Sequence, residues 1–113
     1  MLKKRPKACC PIADQTPDLN SVEGKAADVE IARLCKAVGH PIRVQILRIL
    51  ARRDTCVCGE IVDELPLAQS TISQHLKVLK NAGLIRGEIE GTATCYCIEP
   101  KQLRRLKTLV GGL

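Results

Sequence analysis

Phenylalanine and tryptophan are absent from this chain, and Tyr96 is its whole aromatic content. Any core must therefore be aliphatic. At 113 residues a single domain leaves much apolar surface uncovered, so pairing with a second copy is expected. No apolar run reaches 18 residues, which excludes a membrane-spanning helix. The N-terminal "MLKKRPKACCPIADQTP" lacks the apolar stretch of a secretion signal. The expectation is a cytoplasmic protein with no membrane partner, whose thiols stay reduced. Also missing are a phosphate-binding loop, a Cys-X-X-Cys ahead of a helix in a βαβ pattern, and a His or carboxylate placed as a base. Those absences make an enzyme, such as a small thiol reductase, the weakest reading, and no catalytic activity is expected.

What the chain has instead is positive charge and sulfur. Eighteen Lys and Arg against twelve Asp and Glu give +6, which favours a polyanion such as nucleic acid. Seven cysteines are an odd number, so disulfides cannot pair all of them within one chain. Metal binding, redox chemistry or plain burial remain.

Residues 1–19 carry Lys3, Lys4, Arg5 and Lys7, with prolines at Pro6, Pro11 and Pro17, without helical period, and read as a flexible basic tail. Residues 20–113 read as the folded domain. A helix is expected over 21–38, with Ala27, Ile31, Leu34, Cys35 and Val38 on its apolar stripe. Gly39 stops it, and Pro41 opens a second helix with Ile42, Ile46, Ile49 and Leu50 on one face. Asp54 or Thr55 is placed to cap a short third helix through Ile61, Val62 and Leu65, which Pro66 ends. A fourth runs from about Gln69 to Asn81 with Ile72, Leu76 and Leu79 inward. Alternation around Glu90-Gly91 predicts a hairpin. From Pro100 a last helix sets Leu103, Leu106 and Val110 on one side and Arg104, Arg105 and Lys107 off it.

On the fourth helix, Ser70, Ser73, Gln74 and Lys77 form a polar stripe opposite the apolar one. Alone, such a stripe describes any solvated helix face. Here it follows a short helix and a proline-stopped turn and precedes a hairpin, the order of a helix-turn-helix with a wing. Short polar side chains reach base edges, and a Gln amide pairs with adenine through two hydrogen bonds. The expected partner is double-stranded operator DNA. The residues expected to face it are Gln69, Ser70, Thr71, Ser73, Gln74, His75 and Lys77, with Arg86 on the first wing strand. For His75 a packing or phosphate role is expected.

The segments "AVGHPIRVQILRIL", "CVCGEIVDEL", "QSTISQHLKVLKNAGLI" and "GTATCYCI" resemble the ArsR/SmtB family of metal-sensing repressors, over roughly residues 26–110. The resemblance implies a mainly α winged helix-turn-helix with a small β-hairpin, in the order αααα-ββ-α. It also implies a homodimer that holds operator DNA without metal and releases it with metal. Two positions depart from the family pattern. Cys95, Tyr96 and Cys97 stand where the wing usually ends in aromatics, and His40 stands where an acidic residue is common.

Cys56 and Cys58 match the Cys-Val-Cys of the family's thiolate sensors. At a helix N-terminus their pKa would be lowered. Two residues apart on a helix they lean different ways, so a shared ion would distort the first turn and strain the helix-turn-helix. Many arsenic sensors of the family carry a third Cys three residues on, where this chain has Ile61. Some members supply N-terminal cysteines from across the dimer, which Cys9 and Cys10 resemble. The implied metal ligands are Cys9, Cys10, Cys56 and Cys58, with As(III) or Sb(III) as inducer. Cd(II), Pb(II) or a thiol-redox response are the alternatives. The last helix has no His, Asp or Glu after Pro100, so the family's zinc site there, structural zinc and a catalytic cofactor are not expected. Cys35 reads as a small core residue. Cys95 and Cys97 share a strand face and read mainly as packing, with a second thiolate pair as the lesser alternative.

Overall fold

The computed structural model describes residues 21–53, 56–58, 64–90 and 93–113. Helices α1 (Lys25–Val38) and α2 (Pro41–Ala51) are followed by a two-residue strand β1 (Val57–Cys58). Helix α3 (Gln69–Asn81), strands β2 (Ile85–Glu90) and β3 (Ala93–Ile98), and helix α4 (Pro100–Gly111) complete the order. Cys9 and Cys10, the expected tail over 1–19, the expected cap Asp54 or Thr55, and Ile61 and Val62 of the short helix expected before α3 lie outside the described residues.

The corner between α1 and α2 is set by local chemistry. Pro41 occupies the first turn of α2, where its fixed φ suits a helix and its missing N–H costs nothing. His40 caps the same helix: its Nδ1 accepts from the Ile42 N–H at 3.1 Å. Arg43, one turn in, donates back to the last carbonyls of α1, Ala37 O at 2.6 Å and Lys36 O at 3.4 Å. These lie in the last turn of α1, where carbonyls run out of helical partners; Lys36 O also accepts from the Gly39 N–H at 3.3 Å. The guanidinium thereby fastens the two helices together.

Helix α3 follows an apolar period with Ile72, Leu76 and Leu79 buried. It ends in a Schellman turn. Gly83 takes a φ of 81°, the left-handed region where a Cβ is strained. Its N–H reaches Lys80 O at 2.9 Å and the Leu84 N–H reaches Leu79 O at 3.1 Å. This turn delivers the chain directly into β2. The core that seats these elements is aliphatic as expected, centred on Leu34, Ile46, Ile72, Leu79, Leu84 and Leu109.

The chain departs from sequence expectation at four places. First, the expected β2–β3 hairpin is present but β1 adds a strand beside it, so that the described sheet runs β1-β3-β2, all antiparallel. Cys56 and Cys58 therefore do not open a helix. A Val-Cys step has β propensity, and β3 offers an edge for it to pair with. Second, Cys35 is exposed rather than in the core; the buried face of α1 runs through Ala27, Leu34 and Ala37. Third, Arg105 is buried. It binds Glu30 through two nitrogens, at 3.0 and 2.9 Å, and donates to Ser21 O at 2.7 Å. Fourth, α1 starts at Lys25, not Ser21, because Ser21 Oγ bonds the Glu23 N–H in a local turn instead.

Candidate nucleic-acid interface and thiol cluster

Burial of the apolar stripe leaves the opposite side of α3 open. Gln69, Ser70, Thr71, Ser73, Gln74 and Lys77 are all exposed. Ala68 precedes the helix and gives no side-chain cap; its carbonyl accepts from the N–H groups of Thr71 and Ile72, each at 3.1 Å. Between α3 and the wing lies a cleft of about 340 Å³ lined by Ser73, Leu76, Lys77, Lys80, Asn81 and Tyr96. Lys80, Asn81 and Tyr96 were not expected there from the sequence. Lys80 was findable, since it continues the Ser73, Lys77 row at helical spacing.

Two expected DNA-facing residues sit differently. Arg86 is at the base of the wing, half-buried, with its Nε 3.2 Å from Glu99 Oε2. His75 lies between α2 and α3. Its Nδ1 is 3.1 Å from Arg43 Nη1, which donates to it, and its ring stands 4.5 Å from that of His40. His75 thus links the recognition helix to the helix corner behind it. No sequence pattern signals this link, because His75 is far along the chain from the other two.

Burial, and then the electrostatic influence of His40 and Arg43 beside it, hold the pKa of His75 below its ordinary value. The folded state therefore prefers the neutral ring. Its contribution to stability is complete above the unfolded pKa of about 6.5 and is lost as pH falls from there through the lowered folded value. Thermal unfolding at pH values from about 7.5 to about 5 is expected to show a falling midpoint, and His75→Gln should flatten that fall. An identical slope in the variant would remove His75 from the account.

The cysteines meet in the sheet. Val57 pairs with Tyr96 and Cys58 with Cys95, which sets Cys56 opposite Cys97. The Cα atoms of Cys56 and Cys97 are 4.6 Å apart and their thiols are joined in a disulfide. Cys95 is disulfide-bonded as well. Cys56, Cys95 and Cys97 form a small buried cluster separate from the main core. In this closed state, no group of three or more His, Cys, Asp or Glu side chains among the described residues is placed to hold a metal ion.

Residues 40–86, which contain the α1–α2 corner, β1 and α3, match the family of bacterial regulatory proteins described as the arsR family. An uncharacterised helix-turn-helix transcriptional regulator of Methanocaldococcus jannaschii is 42% identical over 83 residues, 73% of this chain and 92% of the relative. The chain belongs to the arsR family. The transcriptional repressor SmtB of Mycobacterium tuberculosis is 37% identical over 73 residues, 65% of this chain and 53% of that protein. A crystal structure described as a possible transcriptional regulator for arsenical resistance superposes with a TM-score of 0.64 at 27% identity, over 71% of this chain and 81% of that one. This arsR-family chain is accordingly a winged helix-turn-helix transcriptional regulator and not an enzyme. Among its described residues no helix is long and apolar enough to cross a membrane.

Proposed function

We propose that this arsR-family regulator is a repressor that binds operator DNA as a homodimer and releases it when cysteine thiolates capture As(III) or Sb(III). One observation carries the reading. The segment holding Cys56 and Cys58 is paired to the wing through β1 and precedes α3 in the chain. A change of ligation at those thiols pulls on both elements that would face the duplex. The sequence reading completes the ligand set with Cys9 and Cys10, the tail of one subunit reaching the other. Dimerisation fits the apolar surface left at α1 and the end of α4, where Val29, Val110 and Leu113 are exposed. It also fits a family whose members pair to read two half-sites.

A thiol-redox response is the second reading, favoured by the Cys56–Cys97 disulfide. One titration separates the two. The operator complex, kept under strict reduction, is challenged with arsenite, antimonite, cadmium, lead and zinc, and separately with a disulfide oxidant. Arsenite and antimonite are expected to release the DNA at lower concentration than the others, with zinc the poorest. Cys56→Ser combined with Cys58→Ser should keep operator binding and lose the response. Release by the oxidant alone would replace metal sensing with redox sensing.

A further inference from the structure

Cys95 and Cys97 have no part in the ligand set just proposed, yet the strand register sets them against Cys56 and Cys58. Antiparallel pairing makes Cys56 the partner of Cys97 and Cys58 the partner of Cys95. The Cα separation of 4.6 Å for the first pair is that of a non-hydrogen-bonded antiparallel pair, in which opposed side chains lie closest. The second pair is two residues further along and is of the same kind. Residues two apart share a strand face, about 6.7 Å from one another. Cys56, Cys95 and Cys97 therefore occupy three corners of one small buried patch on one face of the β1–β3 ribbon.

Burial adds an independent constraint. Cys95 is 0% exposed, Cys97 1% and Cys56 8%. The main core already takes its apolar contact from elsewhere in the hairpin, with Ile85 in it and Tyr96 and Ile98 packed against it. Packing alone asks for small apolar side chains at these corners and gives no reason for sulfur at every one.

We propose that Cys56, Cys95 and Cys97 form a soft-ion site within one chain, and that its ligand is As(III) or Sb(III). This deepens the thiolate reading above and moves the completing thiols from the tail to the wing. In the oxidised state the thiols are closed. A dithiol reductant opens each disulfide with two electrons and two protons and is itself oxidised to a disulfide. Three of the freed thiols then condense with As(OH)3, forming three As–S bonds and releasing three waters. The product As(SR)3 is electrically neutral. A divalent ion held by four thiolates would carry a net charge of −2, which is costly in a cluster this buried. Burial thus selects the trivalent metalloid over cadmium, lead or zinc. Closure of the site ties the segment that leads into the helix-turn-helix to the wing strand.

The test uses the full, reduced chain with sodium arsenite, and each variant's folding is checked by its operator binding. The double variant Cys9→Ser, Cys10→Ser removes every thiol of the tail. It is expected to bind one arsenite per chain within about threefold of the parent affinity, a difference under about 1 kcal/mol, and X-ray absorption should report three sulfur neighbours. The double variant Cys95→Ser, Cys97→Ser is expected to lose more than about 100-fold, beyond the roughly 10–100-fold that a residue merely supporting a ligand is worth. If the tail variant falls to two sulfur neighbours or loses binding, the wing does not complete the site and the inference is overturned, while the thiolate-sensor reading stands with its tail ligands. If the reduced parent chain binds no arsenite, both are overturned. The tail variant's sulfur count decides the matter even if the wing variant fails to fold.

Discussion

Raising the salt from about 50 to about 200 mM is expected to weaken operator binding about a thousandfold. Each phosphate neutralised by Lys or Arg adds about −0.9 to the slope of log affinity against log salt. Lys77 and Lys80 line the cleft between α3 and the wing, and the tail adds Lys3, Lys4, Arg5 and Lys7. Three phosphate partners for each protomer of a dimer give a slope of about −5, hence about three decades over a roughly fourfold change in salt. Lys77→Ala should weaken operator and random DNA alike and reduce the slope by about 2 for the dimer, about 0.9 per protomer. Gln74→Ala should leave the slope alone and cost discrimination, about 1–3 kcal/mol for each adenine it no longer pairs with. Competition binding over a series of salt concentrations measures both. A slope shallower than about −2 would take α3 off the DNA backbone. Equal losses by Gln74→Ala on operator and random sequence would make that side chain a positioning group only.

The parts of the fold that were legible were those where one signal repeats. Helix α3 has an apolar stripe at 72, 76 and 79, a polar stripe opposite, and a glycine past its end, and its bounds agree with the sequence reading. The hairpin declared itself by alternation, and its strands pair as far as Glu90 with Ala93. β1 was not legible because a two-residue strand has no period. "CVC" suits a helix start as well as a strand, and only the presence of β3 beside it decides. That choice alters the chemistry. On a helix the two cysteines diverge; with the chain extended, Cys56 instead meets Cys97 and packs with Cys95. Cys35 was misplaced for a related reason: the apolar stripe of α1 is wide, and Leu34 with Ala37 takes the buried side. The hydrogen bond between Arg43 and His75 joins positions 32 residues apart, and no local pattern encodes it.

Arg105 belongs with these unreadable contacts, and removing it should have the largest effect on stability of any single change considered. Its guanidinium is 10% exposed and fixes the Glu30 carboxylate in a two-pronged pair, while a further bond holds the Ser21 carbonyl ahead of α1. Arg105→Met strips Glu30 of a charge partner in a site that is only 29% exposed. Breaking a buried pair from one side costs about 3–5 kcal/mol. The partial exposure of Glu30 puts this case at the low end, about 3 kcal/mol, which lowers the midpoint of thermal unfolding by roughly 12–24 °C in a domain of this size. Glu30→Met should cost as much, since it leaves a desolvated guanidinium. The double variant should recover most of the loss, because two apolar side chains of similar volume need no partner. Because α1 and α4 also carry the most exposed apolar side chains within helices, Val29 and Val110, the single variants should weaken self-association along with stability. Thermal unfolding of the four proteins, each at two concentrations, closes the cycle. Additive losses in the double variant would show that the two side chains act independently and that α1 is anchored to α4 by packing alone.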